Sequence, residues 1–119
     1  GNIRMCIATA TDRYQVEAAL QRCKMRHFFS EIFTCTEVGS GKDSPDIFRK
    51  AMEHLQTDRS NTAVVEDAYH AAFTAKQDGF MVVSVYDSHE SRQQELLQLA
   101  DVFLPDYLHL NIFWKFASA

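Results

Sequence analysis

Two adjacent carboxylates, Glu66 and Asp67, directly follow an apolar run, Thr-Ala-Val-Val, at positions 62–65. The β-branched residues of this run predict a short strand, and the alanine-rich segment 68–77 predicts a helix after it. Ligands of open α/β sheets bind beyond the C-terminal ends of parallel strands, and Mg²⁺ prefers carboxylate oxygens. The pair therefore indicates a magnesium site, although acids that merely complement the dipole at the start of a helix are the simpler alternative.

A hydroxyl and a lysine lie upstream, at positions suited to binding a phosphate group. Residues 3–8 predict a mostly apolar strand, and Thr9 lies at its C-terminal end. Lys42 lies on a glycine-containing loop that leads into a helix, with Ser44 expected as its N-cap and Pro45 at its first helical position. A strand-end hydroxyl, a loop lysine and strand-end acids would supply a donor, a cation and metal ligands to one phosphate site.

The elements that must position these residues alternate along the chain. The hydrophobic patterns predict strands at 3–8, 31–35, 62–65, 80–85 and 100–104, and helices at 16–23, 45–55, 69–77 and 91–98. Strands separated by helices imply βαβ units with right-handed crossovers and a parallel sheet. The expected fold class is therefore α/β.

In their types, order and spacing, these motifs resemble the haloacid dehalogenase superfamily, specifically its β-phosphoglucomutase/phosphoglycolate phosphatase-like branch. The resemblance covers about residues 3–105. The second motif of the family, a Thr or Ser after a hydrophobic strand, matches Thr9. Its third motif, a loop lysine before a helix, matches Lys42 in the segment 41–46, and its fourth motif, an acid pair followed by a small-residue helix, matches Glu66 and Asp67.

The resemblance implies a Rossmann-like three-layer parallel sheet and a Mg²⁺-dependent phosphatase or phosphomutase that acts on small phosphorylated metabolites. Thr9 would donate to a phosphoryl oxygen, and Lys42 would brace the charge between the nucleophile and the phosphate. Glu66 and Asp67 would bind the Mg²⁺. One departure from the family pattern is Asp43, which places a negative charge beside this lysine.

The first motif of the family, Asp-x-Asp-x-Thr, supplies its nucleophile and its acid/base, and no Asp-x-Asp occurs in this sequence. Residues 1–119 are therefore expected to form a single, incomplete core fragment without the cap domain, with no activity as an isolated chain and with weak Mg²⁺ binding at most. A noncatalytic remnant or assembly partner is the alternative. A receiver-like signalling module fits less well, because receivers carry the acids first, before the hydroxyl and the lysine.

In the family, the strand of the first motif lies between the strands that end here at Thr9 and Glu66. Its absence would leave two strand edges with unpaired backbone groups, each costing about 1 to 3 kcal/mol if buried. We therefore expect a homo-oligomer or a strand-completing partner to cover these edges. The segment 108–116 alternates apolar and polar residues, which suits a strand, whereas the family comparison suggests a terminal helix; both remain open.

The bulk composition narrows the class of protein. A length of 119 residues suits one domain, and a net charge of −4 with a pI near 5.7 argues against nucleic acid or an anionic membrane as the main partner. Nothing resembles a signal peptide, and no apolar run approaches the length of a membrane span. Three cysteines within apolar patterns predict buried free thiols and a cytoplasmic location.

Overall fold

The structure, a computed structural model, describes residues 3–106 and forms two compact units that divide between Asp58 and Arg59. The first unit contains a two-stranded sheet, and the second contains a three-stranded sheet. Both sheets are parallel. The α/β class predicted from the sequence is therefore confirmed.

The first unit builds its sheet from two short strands, in which Ile7 lies opposite Ile32. Its third helix contacts both strands and buries Ile47 and Phe48, which are the apolar residues of its first turn. Its elements are, in order, β1 (Ile7–Thr9), α1 (Arg13–Arg22), a 3-10 turn (Arg26–Phe28), β2 (Ile32–Thr34), α2 (Cys35–Val38) and α3 (Asp46–Leu55).

The second unit has the strand order β3-β4-β5, so that β4 is central. Its β4 is buried from Val82 to Val85, and its three valines give it the apolar character of a strand covered on both faces, although Ser84 is polar. The helix before it contacts β3 and β4 and buries three alanines, whose small side chains permit a close approach to the sheet. The elements are a 3-10 turn (Arg59–Asn61), β3 (Ala63–Glu66), α4 (Tyr69–Gln77), β4 (Met81–Val85), α5 (Gln93–Leu99) and β5 (Val102–Leu104).

Several details of the sequence-based prediction are wrong. The strand predicted at residues 3–8 covers only Ile7–Thr9. The helix after the lysine loop begins at Asp46, one residue later than expected, so that its N-cap is Pro45 and not Ser44. The Ser44 hydroxyl accepts a hydrogen bond from the backbone N–H of Asp46 at 3.3 Å. The three cysteines are free but not buried: Cys6 and Cys35 are half-buried, and Cys23 is exposed at the end of α1. Cys23 is exposed because it follows α1, which buries none of its residues.

Other expectations are less fully tested. No helix among residues 3–106 is both long and apolar enough to span a bilayer. The segment 108–116, for which both a strand and a helix were considered, lies outside the described residues. The single-domain organisation, the oligomeric state and the cytoplasmic location remain predictions.

Candidate functional site

The acid pair lies where the second unit turns from strand to helix. Glu66 is the last residue of β3, opposite Ser84 of the buried strand β4, and its side chain is only 8% exposed. Its Oε1 accepts hydrogen bonds from the backbone N–H groups of Asp67 and Ala68, at 3.1 and 3.3 Å. The carboxylate is thus held by the loop that follows it, and it satisfies two backbone donors that precede α4.

Asp67 lies among like charges. Its partial burial raises the pKa of Asp67 above the ordinary carboxyl value, and a hydrogen bond with Glu66 and the charges of Glu66 and Asp87 raise it further. The sequence analysis did not select Asp87, which lies two residues beyond the end of β4. Its position after a predicted strand was the available signal, because the C-terminal ends of parallel strands meet at one edge of a sheet.

The loop between β4 and α5 reaches the start of α4. The backbone N–H of Tyr69 donates a short hydrogen bond to the carboxylate of Glu90. The guanidinium carbon of Arg92 lies 3.9 Å from the centroid of the Tyr69 ring. Sequence reasoning missed Glu90 and Arg92 because no local pattern shows that this loop meets a helix twenty residues earlier.

Thr9 is the last residue of β1, as predicted. Its Oγ1 accepts a hydrogen bond from the backbone N–H of Thr11 at 3.0 Å, and a hydroxyl that accepts one bond can still donate another. The loop after β1 is tied to α2: the Thr36 hydroxyl donates to Asp12 at 3.3 Å. Thr9 therefore ends its strand next to a loop that side-chain contacts hold in place.

A bidentate ion pair supports the same region of the first unit. Arg13, the first residue of α1, donates to both carboxylate oxygens of Glu37 in α2, at 2.9 and 3.0 Å. Lys42 is half-buried on the turn that joins α2 to α3, and Asp43 beside it is exposed. In the first unit, Thr9 ends β1 and Lys42 lies on the turn after α2. In the second unit, Glu66 and Asp67 are adjacent at the end of β3.

The acid pair fits a hard cation in donor type but offers few ligands. Carboxylate oxygen is the donor that Mg²⁺ prefers, and a divalent cation would offset the repulsion between Asp67 and its acidic neighbours. Among residues 3–106, no group of three or more His, Cys, Asp or Glu side chains is arranged to hold a metal ion. Two carboxylates alone would leave most of an octahedral shell to water, which favours weak binding.

Comparison with known proteins gives a consistent result. A model of the haloacid dehalogenase-like hydrolase family matches residues 1–85. The chain is 30% identical over 111 residues to the bifunctional riboflavin kinase/FMN phosphatase of Arabidopsis thaliana, covering 92% of this chain and 29% of that protein. It is 29% identical over 100 residues to validoxylamine A 7'-phosphate phosphatase of Streptomyces hygroscopicus subsp. limoneus. This match covers 84% of this chain and 46% of that protein.

Solved structures extend the comparison to the fold. The structure of CbbY from Rhodobacter sphaeroides in complex with phosphate superposes with a TM-score of 0.79 and 28% identity, covering 91% of this chain and 48% of that one. A HAD family hydrolase from Deinococcus radiodurans R1, with bound phosphate and sodium, gives a TM-score of 0.78 at 18% identity, which shows the fold alone. The chain spans less than half the length of the two phosphatases and about half of these structures.

Proposed function

Because the chain belongs to the haloacid dehalogenase-like hydrolases, we propose that it forms part of a Mg²⁺-dependent phosphatase or phosphomutase core that acts on small phosphorylated metabolites. The observation that carries this proposal is the acid pair. Glu66 is buried at the C-terminal end of β3 with its carboxylate fixed by two backbone N–H groups, and Asp67 follows it directly. Two of the relatives found are named as phosphatases, which supports the same reaction class.

Each candidate residue has a role that its position supports. The Thr9 hydroxyl, at the end of β1, would donate a hydrogen bond to a phosphoryl oxygen. The ammonium group of Lys42 would offset the negative charge that the phosphate and an attacking carboxylate bring together. Asp67, with Glu66, would hold Mg²⁺, which when bound supplies a positive charge that polarises phosphoryl oxygen.

The reaction also needs a nucleophile that these residues do not supply. An aspartyl-phosphate mechanism begins with a carboxylate that attacks phosphorus, and the sequence contains no Asp-x-Asp motif that would provide it. We therefore propose that the isolated 119-residue chain is inactive and that turnover requires a first-motif segment. The same observation favours the second candidate function, a noncatalytic binding or assembly partner that keeps the fold.

The first experiment tests the metal site. Mg²⁺ is titrated into the chain while backbone amide shifts are recorded, and we expect weak binding with shifts centred on Asp67 and Ala68. Asp67→Asn should abolish the response because it removes one of two charged ligands. Glu53→Gln is the matched control, since Glu53 is an exposed carboxylate on α3, and it should leave the response unchanged. Shifts that persist in Asp67→Asn would contradict the site.

The second experiment tests for catalysis. The isolated chain is incubated with Mg²⁺ and small phosphomonoesters, and we expect no release of phosphate above background because a Lewis acid without a nucleophile gives no aspartyl-phosphate chemistry. Turnover that survives repurification and disappears in Asp67→Asn would show that another group of this chain acts as the nucleophile. That result would also exclude the noncatalytic alternative.

A further inference from the structure

The start of α4 lacks the usual capping side chain. The four backbone N–H groups at the start of a helix have no partner within the helix, and Ser, Thr, Asp or Asn at the N-cap normally satisfies one of them. The N-cap residue of α4 is Ala68, which makes no side-chain cap. Glu90 takes over this role from the β4–α5 loop, by accepting the hydrogen bond of the Tyr69 N–H. Its negative charge also complements the helix dipole at this end.

A second contact from the same loop holds the side chain of the same residue. The guanidinium of Arg92 stacks over the Tyr69 ring, at 3.9 Å from its centroid. Glu95, one turn further along the chain, accepts a hydrogen bond from the Arg92 Nε at 3.0 Å, which fixes the orientation of the guanidinium plane. Both the backbone and the ring of Tyr69 are therefore held from one loop.

The β4–α5 loop is itself ordered by internal hydrogen bonds. The backbone N–H of Asp87 donates to the side chain of Gln93 at 3.2 Å. The carboxylate of Asp87 accepts a hydrogen bond from the backbone N–H of His89 at 3.0 Å. These two hydrogen bonds restrain the loop that carries Glu90.

The segment that it positions is the acid-pair loop, residues 66–68. Tyr69 is bonded directly to Ala68, whose N–H, with that of Asp67, donates to the Glu66 carboxylate. Because strand pairing fixes Glu66 on one side, any shift of the Tyr69 backbone on the other side must be taken up by the dihedrals of Asp67 and Ala68, which set the direction of these two N–H groups. We propose that Glu90 and Arg92 are positioning residues that hold the acid-pair loop in a single conformation. As far as metal binding is concerned, this inference rests on the proposed function.

The test compares the two ends of α4. Glu90→Ala and Arg92→Ala each remove a contact at Tyr69, whereas the control Lys76→Ala removes an ion pair with Asp101, with an N–O distance of 2.8 Å, near the other end of the helix. Three quantities are measured: amide exchange at residues 67–69, Mg²⁺ affinity from amide shifts, and the urea midpoint of unfolding. Loss of a residue that orients metal ligands typically weakens metal binding by about 10-fold to 100-fold.

We expect Glu90→Ala to accelerate exchange at residues 67–69 and to weaken Mg²⁺ binding by about 10-fold. Glu90→Gln, which keeps an oxygen acceptor, should restore most of both. Arg92→Lys should restore little, because an ammonium group cannot stack as a plane on the ring. Lys76→Ala should lower the urea midpoint and leave exchange at residues 67–69 and Mg²⁺ affinity unchanged.

Two results would overturn the inference: unchanged exchange at residues 67–69 in Glu90→Ala, or equal effects of Glu90→Ala and Lys76→Ala on all three quantities. If Glu90→Ala does not fold, Arg92→Ala, which removes the other contact at Tyr69, is compared with Lys76→Ala in its place. If the unmodified chain binds no Mg²⁺, the proposed metal site fails. The exchange measurement then decides this inference separately, with faster exchange supporting it and unchanged exchange overturning it.

Discussion

The two units place their candidate residues at strand ends in different surroundings. In the first unit, β1 is half-buried along its whole length, and the loop after Thr9 is tied down by Thr36 and by the exposed pair of Arg13 with Glu37. In the second unit, β3 is exposed at Ala63 and Val65, but Glu66 at its end is buried beside the fully buried segment 82–85 of β4. Exposed ion pairs stabilise little, whereas buried apolar packing stabilises much. The metal-ligand candidates therefore lie in a more strongly stabilised part of the chain than the phosphate-binding candidates do.

The largest test of this difference uses leucine truncations in two helices. Leu96 of α5 is completely buried, whereas Leu20 of α1 is only partly buried. Leu96→Ala should lower the free energy of unfolding by about 2 to 5 kcal/mol, through lost burial and the cavity that remains. Leu20→Ala should have a clearly smaller effect, because less apolar surface returns to water. Urea unfolding followed by circular dichroism measures the loss of free energy in both variants. Equal losses would show that the two helices depend equally on these leucines, contrary to the difference between the units.

A smaller effect should appear as a pH dependence at Asp101. Burial opposes ionisation of this carboxyl, but hydrogen bonds from the Lys76 Nζ and the Val82 N–H, both at 2.8 Å, lower the pKa of Asp101 below its ordinary value. Because its pKa is lower in the folded state, its contribution to stability is present above roughly pH 4 and is lost as the pH falls through the folded pKa. Asp101→Asn should therefore reduce stability at pH 7 and flatten the acid limb of the stability curve.

The matched control for Asp101 is Glu37 in the first unit. A hydrogen bond from Arg13 lowers the pKa of Glu37 as well, but this pair lies in solvent, where water and salt screen it. Glu37→Gln should therefore have the smallest effect on the free energy of unfolding, and high salt should remove most of it. A loss as large as that of Asp101→Asn would show that exposed ion pairs support the first unit as strongly as packing supports the second.

The sequence located the strand-end residues correctly where local chemistry determines the element. A β-branched run followed by two acids and an alanine-rich segment placed Glu66 at the end of β3 and α4 at residues 69–77, as observed. Thr9 likewise ends β1. The short helix α2, at Cys35–Val38, was not foreseen from the sequence. The Thr34 hydroxyl caps this helix by accepting a hydrogen bond from the Glu37 N–H at 3.1 Å. A single turn of four residues has no hydrophobic period to detect.

Whether a residue is buried was harder to infer from the sequence than which helix or strand it belongs to. Cysteines within apolar patterns were expected to be buried, yet Cys23 is exposed. The pattern identifies which face of a helix is apolar, but whether that face is covered depends on what packs against it. The burial of α1 therefore could not be derived from its own residues.

The sequence by itself determined the α/β class, the order of the elements and the residue types available for chemistry, because these depend on periodicity and on motifs within a few residues. Only the tertiary structure decided that Glu66 is buried with two N–H donors, and that burial, Glu66 and Asp87 together raise the pKa of Asp67. It also decided that Glu90 and Arg92 meet Tyr69. The contacts of Asp87, Glu90 and Arg92 join residues about twenty positions apart, and the pairing of parallel strands, which no local pattern encodes, brings them together.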